Sequence, residues 1–97
     1  MYHLSIKLYE ELATALRQEL AGKSYYSGSV RVIEGDVETS FTASLIIYRT
    51  KEQMPEGALS LITDVVPVWW ECHTTIGSEE ILNDCDFALL RPMLRDM

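Results

Sequence analysis

The stretch YSGSVRVIEGDVETSFTASL, residues 26–45, decides the fold because its turn and its hydrophobic pattern specify the same strand register. Apolar and polar residues alternate on both sides of Gly35 and Asp36, as expected for two half-buried strands. A glycine in the first central position of a two-residue turn favours a type II′ hairpin. If Glu34 faces Val37, the apolar positions of both strands share one face. This register predicts four further pairs: Val32–Thr39, Val30–Phe41, Gly28–Ala43 and Tyr26–Leu45.

An amphipathic helix is predicted before the hairpin. Leucines recur every four residues, which places them on one face of a helix. They are Leu4, Leu8, Leu12, Leu16 and Leu20. The pattern predicts a helix over residues 4–21, ended by Gly22, because glycine tolerates the left-handed conformation that stops many helices.

Two more strands are predicted after the hairpin. The second strand is expected to end near Arg49, and the segment KEQMPEG, residues 51–57, is interpreted as a polar loop. In the segment that follows, the apolar parity changes near Asp64, which predicts a β-bulge there. The later parity assigns four residues to the core face: Val66, Val68, Trp70 and Cys72. Gly77 and Ser78 form a second candidate turn, which pairs Ile76 with Glu79 and Thr74 with Ile81 in a short fourth strand. Pro67 then lies beyond the reach of that strand.

A second helix is predicted near the end of the chain, where Phe87, Leu90 and Leu94 recur at helical spacing. Asn83, Asp84 and Asp86 are candidate caps, and Pro92 should kink or end the helix. The predicted fold class is therefore α+β: an N-terminal helix, an antiparallel meander of three to four strands and a C-terminal helix. Both helices cover one sheet face, and residues 1–97 form a single domain.

Composition limits the classes of function. The net charge of −7 argues against nucleic acid and anionic membrane surfaces, because both attract basic proteins. The element order resembles that of double-stranded RNA-binding domains, but Asp84 and Asp86 open the second helix where basic side chains would be expected. No apolar run reaches the length of a membrane span, and the start does not have the pattern of a secretory signal, so a cytoplasmic location is expected. The acidic half, residues 50–97, leaves a basic protein partner as a minor alternative.

No motif predicts catalysis, a cofactor or a metal. Cys72 and His73 are adjacent in a predicted strand, so their side chains point to opposite faces and cannot chelate one ion. The two cysteines, Cys72 and Cys85, are interpreted as reduced, buried thiols. We therefore expect a protein that is not an enzyme, with no catalytic, cofactor-binding or metal-binding residue.

The outer sheet face contains the candidate site. Trp69 and Trp70 are adjacent, so only one of them can point into the core, and Trp69 is assigned to the outer face. The predicted contact residues on that face are Tyr25, Ile46, Tyr48, Trp69 and His73. Aromatic residues are enriched at interfaces, which favours a small interaction module that forms a homodimer or binds a protein partner. Two alternatives remain. Trp69 is simply half covered by its neighbours, or a ligand-binding or enzymatic site lies near Trp69 and His73, with Glu71, against the 51–57 loop.

Overall fold

Four strands and two helices account for most of residues 4–83 and 85–96, which the computed structural model describes. In chain order, the elements are α1 (Ile6–Leu20), β1 (Tyr25–Glu34), β2 (Val37–Met54), β3 (Gly57–Ile76), β4 (Glu79–Asn83) and α2 (Phe87–Leu90), followed by a 3₁₀ helix at Arg91–Leu94. The strands form one antiparallel sheet in the order β1-β2-β3-β4. The predicted α+β fold class is confirmed.

The hairpin of β1 and β2 around Gly35 and Asp36 has the predicted register. All five predicted pairs, from Glu34–Val37 to Tyr26–Leu45, are present. Gly35, the first central residue of the turn, has a φ of 58°, as a type II′ turn requires, and Asp36 does not have a positive φ. The second predicted turn also forms: Gly77 has a φ of 61°, and Thr74 pairs with Ile81.

The α1 helix begins two residues later than its leucine pattern predicted. Ser5 caps it by accepting a hydrogen bond from the Leu8 backbone N–H. Gly22, with a φ of 72°, follows the helix as expected. The leucine stripe, with Tyr9 and Ala13, is buried against the sheet. Each fully buried leucine contributes roughly 2 kcal/mol, so this stripe is a large part of the stability.

A single hydrophobic core lies between the helices and one face of the sheet. Phe41 is fully buried and stacks on Phe87 of α2 with ring centroids 6.4 Å apart. The largest fully buried apolar side chains come from α1, β2, β3 and the C-terminal segment: Leu12, Leu16, Leu20, Phe41, Leu45, Val65, Leu90 and Leu94.

The predicted loop at residues 51–57 is wrong, because β2 continues to Met54 and β3 starts at Gly57. Pro55 and Glu56 form the turn between them. The result is a two-stranded arm, residues 49–62, that extends past the end of β1. Residues 51–57 of this arm are exposed, so they need no alternation of apolar and polar types. The sequence of residues 51–57 therefore has the polar composition that was interpreted as a loop.

Strand β3 contains two register shifts where one was predicted. The first leaves Thr63 unpaired, in agreement with the bulge expected near Asp64. The second lies between Trp69 and Pro67 and leaves Val68 unpaired. This second bulge reverses the parity, so Val66 pairs with Ile46 on the outer face and Val65 enters the core. The assignment of Val66 and Val68 to the core is therefore wrong, and Val68 is 59% exposed.

The C-terminal segment packs on the same face as α1. Asp86 caps α2 through the Ala88 backbone N–H, and the chain tightens into a 3₁₀ helix at Pro92, as predicted. Asp84 lies outside the described residues. Asp64 binds Arg91 through two hydrogen bonds of 2.7 and 2.6 Å, and Asp96 accepts a bond from the Ile62 backbone. These contacts fasten the segment to β3.

Candidate interaction surface

A ladder of hydroxyl groups covers one end of the outer face. Ser27 and Ser44 are hydrogen-bonded across the β1–β2 pair at 3.1 Å, and the Thr42 hydroxyl donates to Ser29 at 3.0 Å. Because these side chains bond one another, this part of the face is flat and internally satisfied. Arg31 continues the row and forms an ion pair with Glu38.

Apolar side chains cover the neighbouring part of the same face. We call the set Tyr25, Ile46, Tyr48, Val66 and Trp69 the outer apolar cluster. Four of its side chains are exposed: Tyr25 (54%), Ile46 (37%), Tyr48 (52%) and Trp69 (45%). Val66 is half-buried. Isolated exposed apolar residues are ordinary, but a contiguous group of this kind marks a contact surface on many proteins.

Strand register brings the outer apolar cluster together. Tyr25, Ile46 and Val66 form one row across β1, β2 and β3. Trp69 lies opposite Ser44, and Tyr48 lies two residues along β2 from Ile46. The bulge at Val68 places Val66 and Trp69 on the same face although they are three residues apart. Four of the five predicted contact residues are therefore neighbours.

His73, the fifth predicted contact residue, is separate from the cluster. It lies opposite Ser40, four residues along β3 from Trp69, which is about 13 Å at the rise of a strand. Its two ring nitrogens lie 3.0 Å from a Glu80 carboxylate oxygen and 3.2 Å from a Glu71 oxygen. The His73 side chain thus belongs to a charged group at the opposite end of the face.

The second tryptophan has a different environment. Trp70 pairs with Ala43 on the core face, where its ring lies 5.4 Å from that of Phe87. Its indole N–H donates to the Cys85 carbonyl at 2.9 Å. Trp70 is nevertheless 39% exposed, because it lies at the sheet margin where β4 no longer pairs with β3. The predicted face is correct, but full burial is wrong.

The Asp64 carboxyl is neutralised by the C-terminal segment. Asp64 pairs with Tyr48 in the strand register, and its carboxylate is bound by Arg91 and lies near Arg95. Hydrogen bonds from Arg91 lower the pKa of the Asp64 carboxyl to about 2, so this group is ionised and paired at neutral pH. This ion pair therefore joins β3 to the segment that packs on the core face.

The two cysteines are both buried in the core between the sheet and the helices. A hydrogen bond joins the thiols of Cys72 and Cys85, and that bond together with burial raises the pKa of the Cys85 thiol. A thiol in such surroundings stays protonated and is a poor nucleophile. Both cysteines therefore act as small apolar residues, in agreement with the prediction of buried, reduced thiols.

Sequence reasoning missed several exposed apolar residues. Val66 and Val68 were assigned to the core, and Ile33 and Leu82, which are 69% and 64% exposed, were not considered. The available signal for the two valines was Pro67, because a proline within a strand often marks an edge or a bulge. No comparable signal identifies Ile33 or Leu82.

Comparison with known proteins gives no assignment: no protein-family model, curated protein or solved structure matches the chain. Among the helices of residues 4–83 and 85–96, none is long and apolar enough to span a membrane.

Proposed function

We propose that the chain is a non-enzymatic interaction module that forms a homodimer through the outer sheet face. The observation that supports this proposal is the outer apolar cluster, which combines two tyrosines and a tryptophan with aliphatic side chains on one flat surface. Tyrosine and tryptophan bury a large area with few rotatable bonds, which suits them to the centre of an interface.

A second copy fits this surface better than a heterologous partner of strong charge. A two-fold axis brings the same patch of both chains together, so an apolar, uncharged patch is complementary to itself. Arg31 and Glu38 of the outer face form an ion pair away from the cluster, whereas the Glu71 carboxylate, which contacts His73, lies two residues along β3 from Trp69. The Glu71 carboxylate and the net charge of −7 oppose this association by repulsion, which salt screens.

The hydroxyl ladder supplies the polar rim that the dimer requires. A stable interface buries roughly 800 Å² from each partner, more than a few apolar side chains provide. The row of Ser27, Ser29 and Thr42 adjoins the cluster and extends the flat surface. Its hydroxyl groups have spare acceptor capacity for bonds to a partner or to bridging water.

The alternative of a ligand-binding or enzymatic site near Trp69 and His73 has less support. It required the 51–57 segment as a wall over the sheet, but residues 51–54 continue β2 away from Trp69. His73 and Trp69 are also too far apart along β3 to line one small site together.

A matched pair of serine substitutions tests the proposal. Ile46 on the outer face is 37% exposed and Leu89 on α2 is 42% exposed, so the two positions differ mainly in the surface they occupy. We expect sedimentation velocity to show self-association for the wild type and for Leu89→Ser, and weaker self-association for Ile46→Ser. A wild type that stays monomeric at high micromolar concentration would refute the homodimer.

A further inference from the structure

Strand β1 has an open edge in the part of the chain that the structure describes. It pairs only with β2, and its ten residues contain no proline and no bulge. Natural sheets protect such edges with prolines, bulges, short strands or charges, because unpaired backbone groups recruit other strands. Here the only charged residues in β1 are Arg31 and Glu34.

The register shows which backbone groups are free. In an antiparallel pair, alternate residues exchange both hydrogen bonds with their partner. The two-residue turn makes Glu34–Val37 a bonded pair, and the Ile47 N–H donates to the Ser24 carbonyl at 2.9 Å. Even-numbered residues of β1 therefore bond to β2. The odd-numbered residues direct their N–H and C=O groups outward: Tyr25, Ser27, Ser29, Arg31 and Ile33.

The space beside this edge is open. A groove of about 410 Å³ runs between α1 and β1, lined by Ala15, Gln18 and Glu19 of the helix and by Ser29, Val30, Arg31 and Ile33 of the strand. The groove borders the half of the edge at residues 29–33, where part of an added strand would lie.

We infer that β1 pairs with β1 of a second copy, antiparallel, about a two-fold axis at Ser29. This register uses every free outward residue, because Ser29 meets its own copy, Ser27 meets Arg31 and Tyr25 meets Ile33. It places no like charges opposite each other, since each Arg31 lies beside a serine. It also puts the 69% exposed Ile33 side chain beside the 54% exposed Tyr25 ring of the other copy.

Self-complementarity favours a second copy over an unrelated peptide. Shifting the register by two residues leaves part of the edge unpaired, and only the Ser29-centred register pairs all five outward positions. The edge pairing is independent of the proposed dimer through the outer face, because it uses backbone groups at the margin of the sheet. Together the two contacts would link chains beyond a dimer.

Proline substitution tests the edge in a background that lacks the face contact. In Trp69→Ala, the face dimer is weakened, so the edge contributes a larger share of the remaining self-association. Adding Ser29→Pro removes an outward N–H while leaving the β1–β2 bonds intact. We expect the self-association of Trp69→Ala to weaken at least about tenfold, as the loss of two backbone hydrogen bonds implies.

Ser29→Ala is the matched control, because it removes the same hydroxyl and keeps the N–H. Circular dichroism checks that each variant is folded. If Ser29→Pro does not fold, Ile33→Lys replaces it, with the similarly exposed Ile6→Lys on α1 as its control. We expect Ile33→Lys to weaken the association and Ile6→Lys to leave it unchanged.

The outcomes separate the two contacts. If folded Trp69→Ala is monomeric at high micromolar concentration, or if Ser29→Pro and Ser29→Ala associate equally, the edge pairing is overturned. If the association of the wild type is unaffected by Trp69→Ala but lost in Ser29→Pro, the edge pairing holds and the face dimer is refuted.

Discussion

The two faces of the sheet differ in what covers them, although the same strands supply both. On β2, one face contributes the buried residues Phe41, Ala43, Leu45 and Ile47, and the other contributes Thr42, Ser44, Ile46 and Tyr48. The first set lies under α1, α2 and the 3₁₀ helix. In the second set, apolar residues begin only at Ile46, next to Tyr25 and Trp69.

The comparison shows that large apolar side chains are exposed at only one end of the outer face. At the hydroxyl end, small polar side chains satisfy one another and need no cover. At the other end, large apolar side chains are left in contact with water, which costs free energy unless another surface covers them. Stability measurements should therefore depend on the core face, and association measurements on the outer apolar cluster.

Phe41→Ala should give the largest loss of stability. Phe41 is fully buried, so its truncation removes apolar contact and leaves a cavity, at a cost of about 3 to 5 kcal/mol. Thr42→Ala, on the opposite face of the same strand, should change the free energy of unfolding by less than about 1 kcal/mol. Urea unfolding followed by circular dichroism measures both, and comparable losses would remove the contrast between the faces.

Trp70→Ala should give the next largest loss, about 2 to 3 kcal/mol. Trp70 packs on Phe87 and donates a hydrogen bond to Cys85, but its 39% exposure reduces the cost below that of a fully buried ring. Chemical unfolding again provides the measurement. A loss of less than about 1 kcal/mol in the free energy of unfolding would mean that the Trp70 ring does not shield the core from solvent.

Asp64→Asn tests how the C-terminal segment is held on the core face. The pKa of Asp64 is lowered from 3.8 to about 2, so its ionised form stabilises the folded state above pH 3.8. That contribution is lost as the pH falls towards 2, where the carboxyl is protonated. Thermal melts should show Asp64→Asn less stable than the wild type at neutral pH by a few degrees, with the two converging in acid. A gap that persists in acid would assign the effect to packing.

Glu11→Gln should have a smaller effect of the opposite sign. The interaction of Glu11 on α1 with the Glu34 carboxyl at the end of β1 raises the pKa of the Glu11 carboxyl from its ordinary value. A carboxyl with a raised folded-state pKa lowers the stability as the pH rises through that pKa. Removing the charge should therefore raise the melting temperature at neutral pH and have little effect in acid. The exposed neighbour Glu10→Gln is the control, and an equal rise there would indicate only reduced net charge.

Trp69→Ala should have the smallest effect on the stability of the monomer, less than about 1 kcal/mol at low protein concentration, because its ring contacts solvent on the outer face. The same substitution should weaken dimerisation by about 2 kcal/mol, which corresponds to roughly 30-fold in Kd. Because a dimer links its melting temperature to concentration, melts at several concentrations separate the two effects. Unfolding of the dilute monomer by Trp69→Ala would place the ring in the core.

Sequence reasoning succeeded where a turn and a hydrophobic pattern gave the same answer. The β1–β2 register, the turn at Gly77 and the leucine stripe of α1 all follow from local rules that tertiary contacts reinforce. It failed where the strands are exposed, as at residues 51–57, and where an unpaired residue changed the parity, as at Val68. Both features depend on how neighbouring strands pair, and the pattern within one segment does not predict that pairing.

Prediction of the candidate surface likewise succeeded where strand register and alternation applied, and failed at a bulge. Tyr25, Ile46 and Tyr48 were placed on the outer face by the hairpin register and its continuation along β2, and Trp69 by its alternation with Trp70 in β3. Val66 was missed because the bulge that turns it outward lies between it and Trp69. His73 was placed on the correct face, but its distance from the cluster required the pairing of β3 with β2.

The most direct test of the outer-face dimer is the fluorescence of Trp69 in a Trp70→Phe background, recorded over a dilution series. Phe at position 70 keeps an apolar contact with Phe87, and Trp69 is then the only tryptophan in the chain. Burial of Trp69 at the dimer interface should shift its emission to shorter wavelength at high protein concentration and reverse this shift on dilution. The edge pairing of β1 leaves Trp69 exposed, so it cannot produce this shift. An emission maximum that stays at the wavelength of exposed tryptophan at every concentration, in a protein shown to be folded, would contradict the outer-face dimer.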